Sequence, residues 1–117
     1  MGMIETIVDY MNTNYTSCTF VRYGTEGIPS PPYCVVKSEK GINGRNIRVI
    51  LHRNAGEQEL LESDLRAVCA LLENKGFTSG TVYNRLGRMI DYTDVGAVSD
   101  DNTISMEALF LMPTQTF

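Results

Sequence analysis

The chain has a single histidine, His52, and no GxGxxG, P-loop or HExxH motif. Any Ser/His/Asp or Cys/His catalytic unit must therefore be built on that one side chain. The three cysteines, Cys18, Cys34 and Cys69, are odd in number, form no CxxC and lack metal-ligand spacing. Each stands inside an apolar pattern, where a free thiol acts as a small hydrophobe, so buried, reduced thiols are expected. No apolar run approaches the ~20 residues needed to cross a bilayer, and no basic-then-apolar leader opens the chain. A protein made and kept in a cytoplasm, without membrane contact, is the expectation. Basic clusters are missing too. Ten Lys+Arg against fourteen Asp+Glu give a net charge of −4, which disfavours a protein whose main task is gripping a phosphate backbone. An acidic wall past which DNA slides is compatible with that balance.

What is present is architecture. A length of 117 residues fits one domain spanning 1–117, able to bury roughly two-thirds of its unfolded surface. The stretch 54–76 organises the rest. Leu61, Leu65, Val68 and Leu72 recur at helical steps, and Leu60, Cys69 and Leu71 widen the stripe. Glu57, Glu59, Glu62, Asp64, Arg66 and Glu73 fill the other side. Asn54 with Glu57 reads as a capping box, and Lys75 with Gly76 as the cationic, left-handed stop.

Upstream, residues 3–12 predict a short helix, with Ile4, Ile7, Val8 and Met11 on one face. Residues 18–23 predict a strand, and 24–33 a stiff connection holding Pro29, Pro31 and Pro32. A proline-rich ligand is the alternative reading of that connection. Residues 33–40 and 45–53 form a hairpin about Asn43-Gly44, the pair suited to a type I′ turn. Centring the turn there sets Val36 opposite Leu51, Ser38 opposite Val49 and Lys40 opposite Ile47. The other face then pairs Val35 with His52 and Glu39 with Arg48. Val36, Ile47, Val49 and Leu51 should meet the long helix, with His52 on the outer, mixed face.

After a loop at 77–80, residues 81–92 predict a strand broken at Gly87 by a bulge or a close backbone approach. A turn-rich connection precedes a last strand, 103–112, with Ile104, Met106, Ala108, Phe110 and Met112 sharing a face. The strand–helix–strand link predicts one parallel neighbour. The fold class is α+β, a four- or five-stranded, mostly antiparallel sheet with two helices packed on one face.

Chemistry is sparse. His52 beside Cys34 is the conceivable catalytic pair, and a structural or solvent-facing histidine is the plainer reading. Asp91, Asp94, Asp100 and Asp101 do not follow a calcium-loop spacing and read as turn formers. No catalytic residue, metal site or cofactor is assigned. The six tyrosines are dispersed, with Arg22, Arg85 and Arg88 close to three of them, and Tyr and Arg are enriched at protein interfaces.

The order of segments resembles one family. An opening MIETIVDYMN helix and the approach PSPPYCVVK lead to NIRVILHRNAGEQELLESDLRAVCALLE, then to RLGRMIDYT and TISMEALFLM. This layout resembles the phage tail terminator, or tail completion, proteins, and is similar to the related small minor capsid proteins. Glu57, Leu61, Leu65 and Cys69 approximate the helix register of those families. The resemblance implies a structural virion protein, not an enzyme. It implies a self-associated ring, usually of six subunits, that caps the tail tube, stops its elongation and offers a head-attachment surface. Its partners would be the tail tube protein and a head completion or connector protein, with DNA passing through without specific binding. Its place would be the head-proximal end of the tail, after assembly in the host cytoplasm. Under this reading Lys40, Asn43 and Arg45 at the hairpin tip, with Tyr23 and Arg88, are the candidate contact residues. A minor capsid or connector protein, a small enzyme and a peptide-binding adaptor are the alternatives.

Overall fold

A computed structural model describes residues 2–41, 44–87, 89–93, 95 and 98–113. Helix α1 (Met3–Asn14) leads into strand β1 (Thr19–Arg22), then β2 (Tyr33–Gly41) and β3 (Gly44–Asn54). Helix α2 (Gln58–Leu72) follows, then short strands β4 (Gly76–Ser79), β5 (Val82–Arg85) and β6 (Met89–Tyr92), and the long β7 (Thr103–Pro113). The main sheet runs β1-β2-β3-β7-β6, and β4-β5 form a separate ribbon. The class is α+β, with both helices on one face of a mostly antiparallel sheet.

The helix stripe and the strand alternation make that layering. Leu61, Leu65, Val68 and Leu72 of α2, with Ile7 and Met11 of α1, close over Val36, Ile47, Val49, Leu51, Ala108 and Phe110. All of these are buried. Phe77 brings the β4-β5 ribbon under α1 by packing edge-to-face on Tyr10, ring centroids 5.3 Å apart.

Several local expectations are corrected. Among the described residues the one parallel pair in the main sheet is β1-β2, joined by the proline-rich connection. Strands β3 and β7, on either side of α2 in sequence, pair antiparallel, because the β4-β5 ribbon and β6 turn the chain before it re-enters the sheet. The β2-β3 register is displaced by two residues from one centred on Asn43-Gly44. Gly41 faces Gly44, Val36 faces Val49, Ser38 faces Ile47, Lys40 faces Arg45 and Val35 faces Ile50. A two-residue slip keeps every side chain on its face, so apolar alternation cannot distinguish the two registers.

The helix ends differ as well. Asn54 is held in β3 opposite Thr103, Gly56 turns the chain at φ +92°, and Glu57 is the N-cap without a side-chain cap bond. The left-handed stop is Asn74, at φ +60°. Gly76 instead opens β4, where a Cβ would collide with the Tyr83 ring. Residues 77–80, read as a loop, mostly belong to β4. Gly87 does break the 81–92 segment, dividing it into β5 and β6. Its N–H donates to the Leu111 carbonyl at 2.6 Å, and a Cβ would stand 3.3 Å from that oxygen.

Asp64 is the largest departure. Placed by sequence on the polar side of α2, it is buried at 3% exposure. Its carboxylate accepts from Arg53 Nε at 2.7 Å and from the Tyr15 hydroxyl at 2.5 Å. Arg53 sits on the core-facing row of β3, and Asp64 supplies the charge its burial requires. Among the described residues no helix is long and apolar enough to cross a membrane.

Candidate assembly surface

The helices cover one face of the sheet. The period-two alternation that buries Cys34, Val36, Val49 and Leu51 sends the intervening side chains to the other. On that outer face lie Tyr33, Val35, Lys37 and Glu39 of β2, and Arg48, Ile50 and His52 of β3. Ser105, Glu107, Leu109 and Leu111 of β7 continue it, with Val21 of β1 at its border. Most are half-buried, Tyr33 is nearly closed off, and Leu111 is 37% exposed.

Charge crosses this face on a diagonal. Arg48 donates through Nε and Nη2 to the two Glu39 oxygens at 2.7 and 3.1 Å, and through Nη1 to Glu107 Oε1 at 2.9 Å. Lys37 Nζ lies 3.6 Å from Glu39. The sequence paired Glu39 with Arg48 as direct neighbours; they meet instead as a diagonal, because Arg48 stands opposite Lys37. The bond from Arg48 holds the Glu39 carboxyl below its ordinary value, and Glu39 in turn raises Arg48. At this exposure such bridges contribute only about 0–1 kcal/mol each. They fix geometry more than stability.

At the other end of the face Tyr33 and His52 stack, centroids 4.4 Å apart and planes 14° from parallel. Burial pushes His52 below its usual value, and nearby Asp101 and Glu107 oppose that shift. Burial also raises the Tyr33 phenol. Two shallow hollows flank the stack. One, of about 510 Å³, lies among Val21, Tyr23, Ile28, Val35 and Ile50. The other, of about 410 Å³, borders Ser99, Asp100, Asp101 and Ser105. Asp101 accepts from Ser99 at 2.5 Å and Thr103 at 2.7 Å, bonds that lower its pKa and mark it as a turn former.

The conceivable Cys34–His52 pair is not formed. Cys34 is fully buried on the helix side and His52 stands on the outer face, so the sheet separates them. Among the described residues, no group of three or more His, Cys, Asp or Glu is placed to hold a metal ion.

Of the candidate contact residues, Lys40 and Arg45 are brought together, directly opposite at the far end of the hairpin and both exposed. Arg45 donates to the Ser38 hydroxyl and carbonyl at 2.9 and 3.2 Å. Tyr23 is elsewhere, 60% exposed at the border of the outer face, with Lys37 Nζ 4.7 Å from its ring centroid. Asn43 and Arg88 lie outside the described residues. Sequence reasoning missed Lys37, Glu107 and Leu109 as members of one surface. Period-two alternation marked Lys37, but the β3-β7 pairing that brings Glu107 beside Arg48 has no local signal.

Comparison with known protein families, with curated proteins and with solved structures finds no match.

Proposed function

We propose that the protein is a structural virion component, a tail terminator that closes the tail tube as a ring and presents a surface for head attachment. The observation that carries this reading is the one-sided layering. Two helices seal one face of the sheet, while the other offers half-buried apolar side chains around the Glu39–Arg48–Glu107 diagonal. Apolar surface with a fixed polar frame is the make-up of a protein contact. The segment layout noted in the sequence supplies the assignment to tail terminators.

In this reading Lys40 and Arg45, exposed cations at the hairpin end, are the contacts to the tail tube. The remaining acidity suits a channel that lets DNA pass without holding it. Negative-stain electron microscopy of the purified chain tests the proposal. Closed rings, alone or seated on tube ends, are the expected images. Single particles the size of one chain, under every condition that supports tail assembly, would contradict it.

A further inference from the structure

Two hollows on the outer face share one wall. The stacked rings of Tyr33 and His52 stand between an apolar hollow and an acidic one. We propose that the two hollows together dock a polyproline-type segment of a partner protein, one that carries an apolar side chain and, three residues on, an arginine or lysine. The site does not depend on ring formation.

The first hollow suits an apolar side chain. Val21, Val35 and Ile50 line it, one from each of three neighbouring strands. Tyr23 and Ile28, 60% and 64% exposed, stand at its border. Large apolar side chains left in water beside a hollow are what a protein contact covers. The cations nearby are already engaged. Arg22 pairs with Glu5 at 2.8 Å, and Lys37 lies over the Tyr23 ring.

The second hollow is acidic. Asp101 accepts from the Ser99 and Thr103 hydroxyls, and Asp100 is exposed. Among the described residues neither carboxylate has an ion-pair partner. In a chain of net charge −4, this end repels an acidic segment and attracts a basic one.

Form and spacing narrow the occupant. Both hollows are shallow and open on one side, whereas a small-molecule site encloses most of its ligand. Side chains projecting from a segment laid across the sheet fit them better. From β2 beneath the first hollow to β7 beside the second is two strand spacings, about 10 Å. A polyproline II segment rises ~3.1 Å per residue and completes a turn in three, so positions i and i+3 face the same side about 9 Å apart. Such segments dock in aromatic-lined grooves, and Tyr23, Tyr33 and His52 supply the rings. The stack and the hydroxyl bonds to Asp101 already hold their geometry, so little ordering on this side opposes binding.

The peptide acetyl-Leu-Pro-Pro-Arg-amide, added to the full chain at neutral pH, tests the site. With one histidine in the chain, its ring signals report on the shared wall by NMR without assignment. They should shift saturably, with a Kd roughly in the millimolar range or tighter. Replacing the peptide's Leu by Ser, or its Arg by Glu, should weaken binding about tenfold or more. These peptides meet wild-type protein, so folding does not enter that comparison. On the protein, Ile28→Ser and Asp100→Asn, both at exposed positions, should weaken the parent peptide similarly. No saturable shift, or equal shifts from all three peptides, overturns the proposal. So does a shift on raising the protein concentration alone, which would put a second copy in the hollows. Ring images are read separately, so failure here leaves the tail terminator reading as it stands.

Discussion

Arg53 and Asp64 form a closed ion pair inside the protein, Nε to Oδ2 at 2.7 Å, joining the middle strand to the helix above it. Their side chains are 11% and 4% exposed, and the Tyr15 hydroxyl ties the same carboxylate to the segment after α1. Asp64→Ala leaves the buried Arg53 with only the Glu57 carboxylate, 3.8 Å from Nη1, and should cost up to about 3–5 kcal/mol. Replacing both, as Arg53→Met with Asp64→Leu, should cost much less. Urea denaturation of the three proteins checks this. Equal losses for the single and double variants would show that the pair is not the source of the effect.

His52 sets a pH dependence. Its folded-state pKa lies below the ordinary 6.5 because burial against Tyr33 disfavours the cation. The unfolded chain therefore binds the proton first as pH falls. Stability from this group is fully present above about 6.5 and declines below it, until the folded-state histidine also titrates. His52→Gln should flatten that part of the stability–pH curve. With one histidine in the chain, an NMR titration reads the midpoint without assignment. A midpoint at or above 6.5 would contradict the burial account.

The thiols should be slow. Burial holds Cys18 at about 12 and Cys69 at about 11, and pushes Cys34 well above its ordinary value. Thiolate is the reactive form, so a maleimide or disulfide reagent near neutral pH should label native protein far more slowly than unfolded protein. Rapid labelling of Cys34 would revive a nucleophilic role for it.

Much of this fold was legible in the sequence because its largest signals are periodic. The α2 stripe at Leu61, Leu65, Val68 and Leu72 and the alternation through β2, β3 and β7 place most of the core, and the α1 stripe adds Ile7 and Met11. Periodicity fails where two answers share a period. A two-residue register slip left every face correct and moved His52 from Val35 to Tyr33, so the aromatic stack was invisible. Asp64 borders the apolar stripe, and the Arg53 guanidinium with the Tyr15 hydroxyl, both distant in sequence, explains its burial. The β4-β5 ribbon has four-residue strands, too short for alternation to register. For the outer face, the sequence indicated His52 and the Glu39–Arg48 attraction. Glu107 joins them through pairing between residues far apart in the chain.

Asn12 closes an edge. Both of its amide bonds reach Phe20, and Asn12→Ala should cost roughly 1–3 kcal/mol by leaving those backbone groups unpaired. It should also raise aggregation on heating, since the freed edge can pair with another chain. Thermal melts with light scattering check both effects. An unchanged melting temperature would show that water replaces the side chain at no cost.

The central claim is that this chain works as a self-assembling structural subunit, and native mass spectrometry across a concentration series tests it most directly. The account predicts a closed oligomer, six copies in the tail terminator reading, whose share rises with concentration. A monomer at every concentration would contradict it.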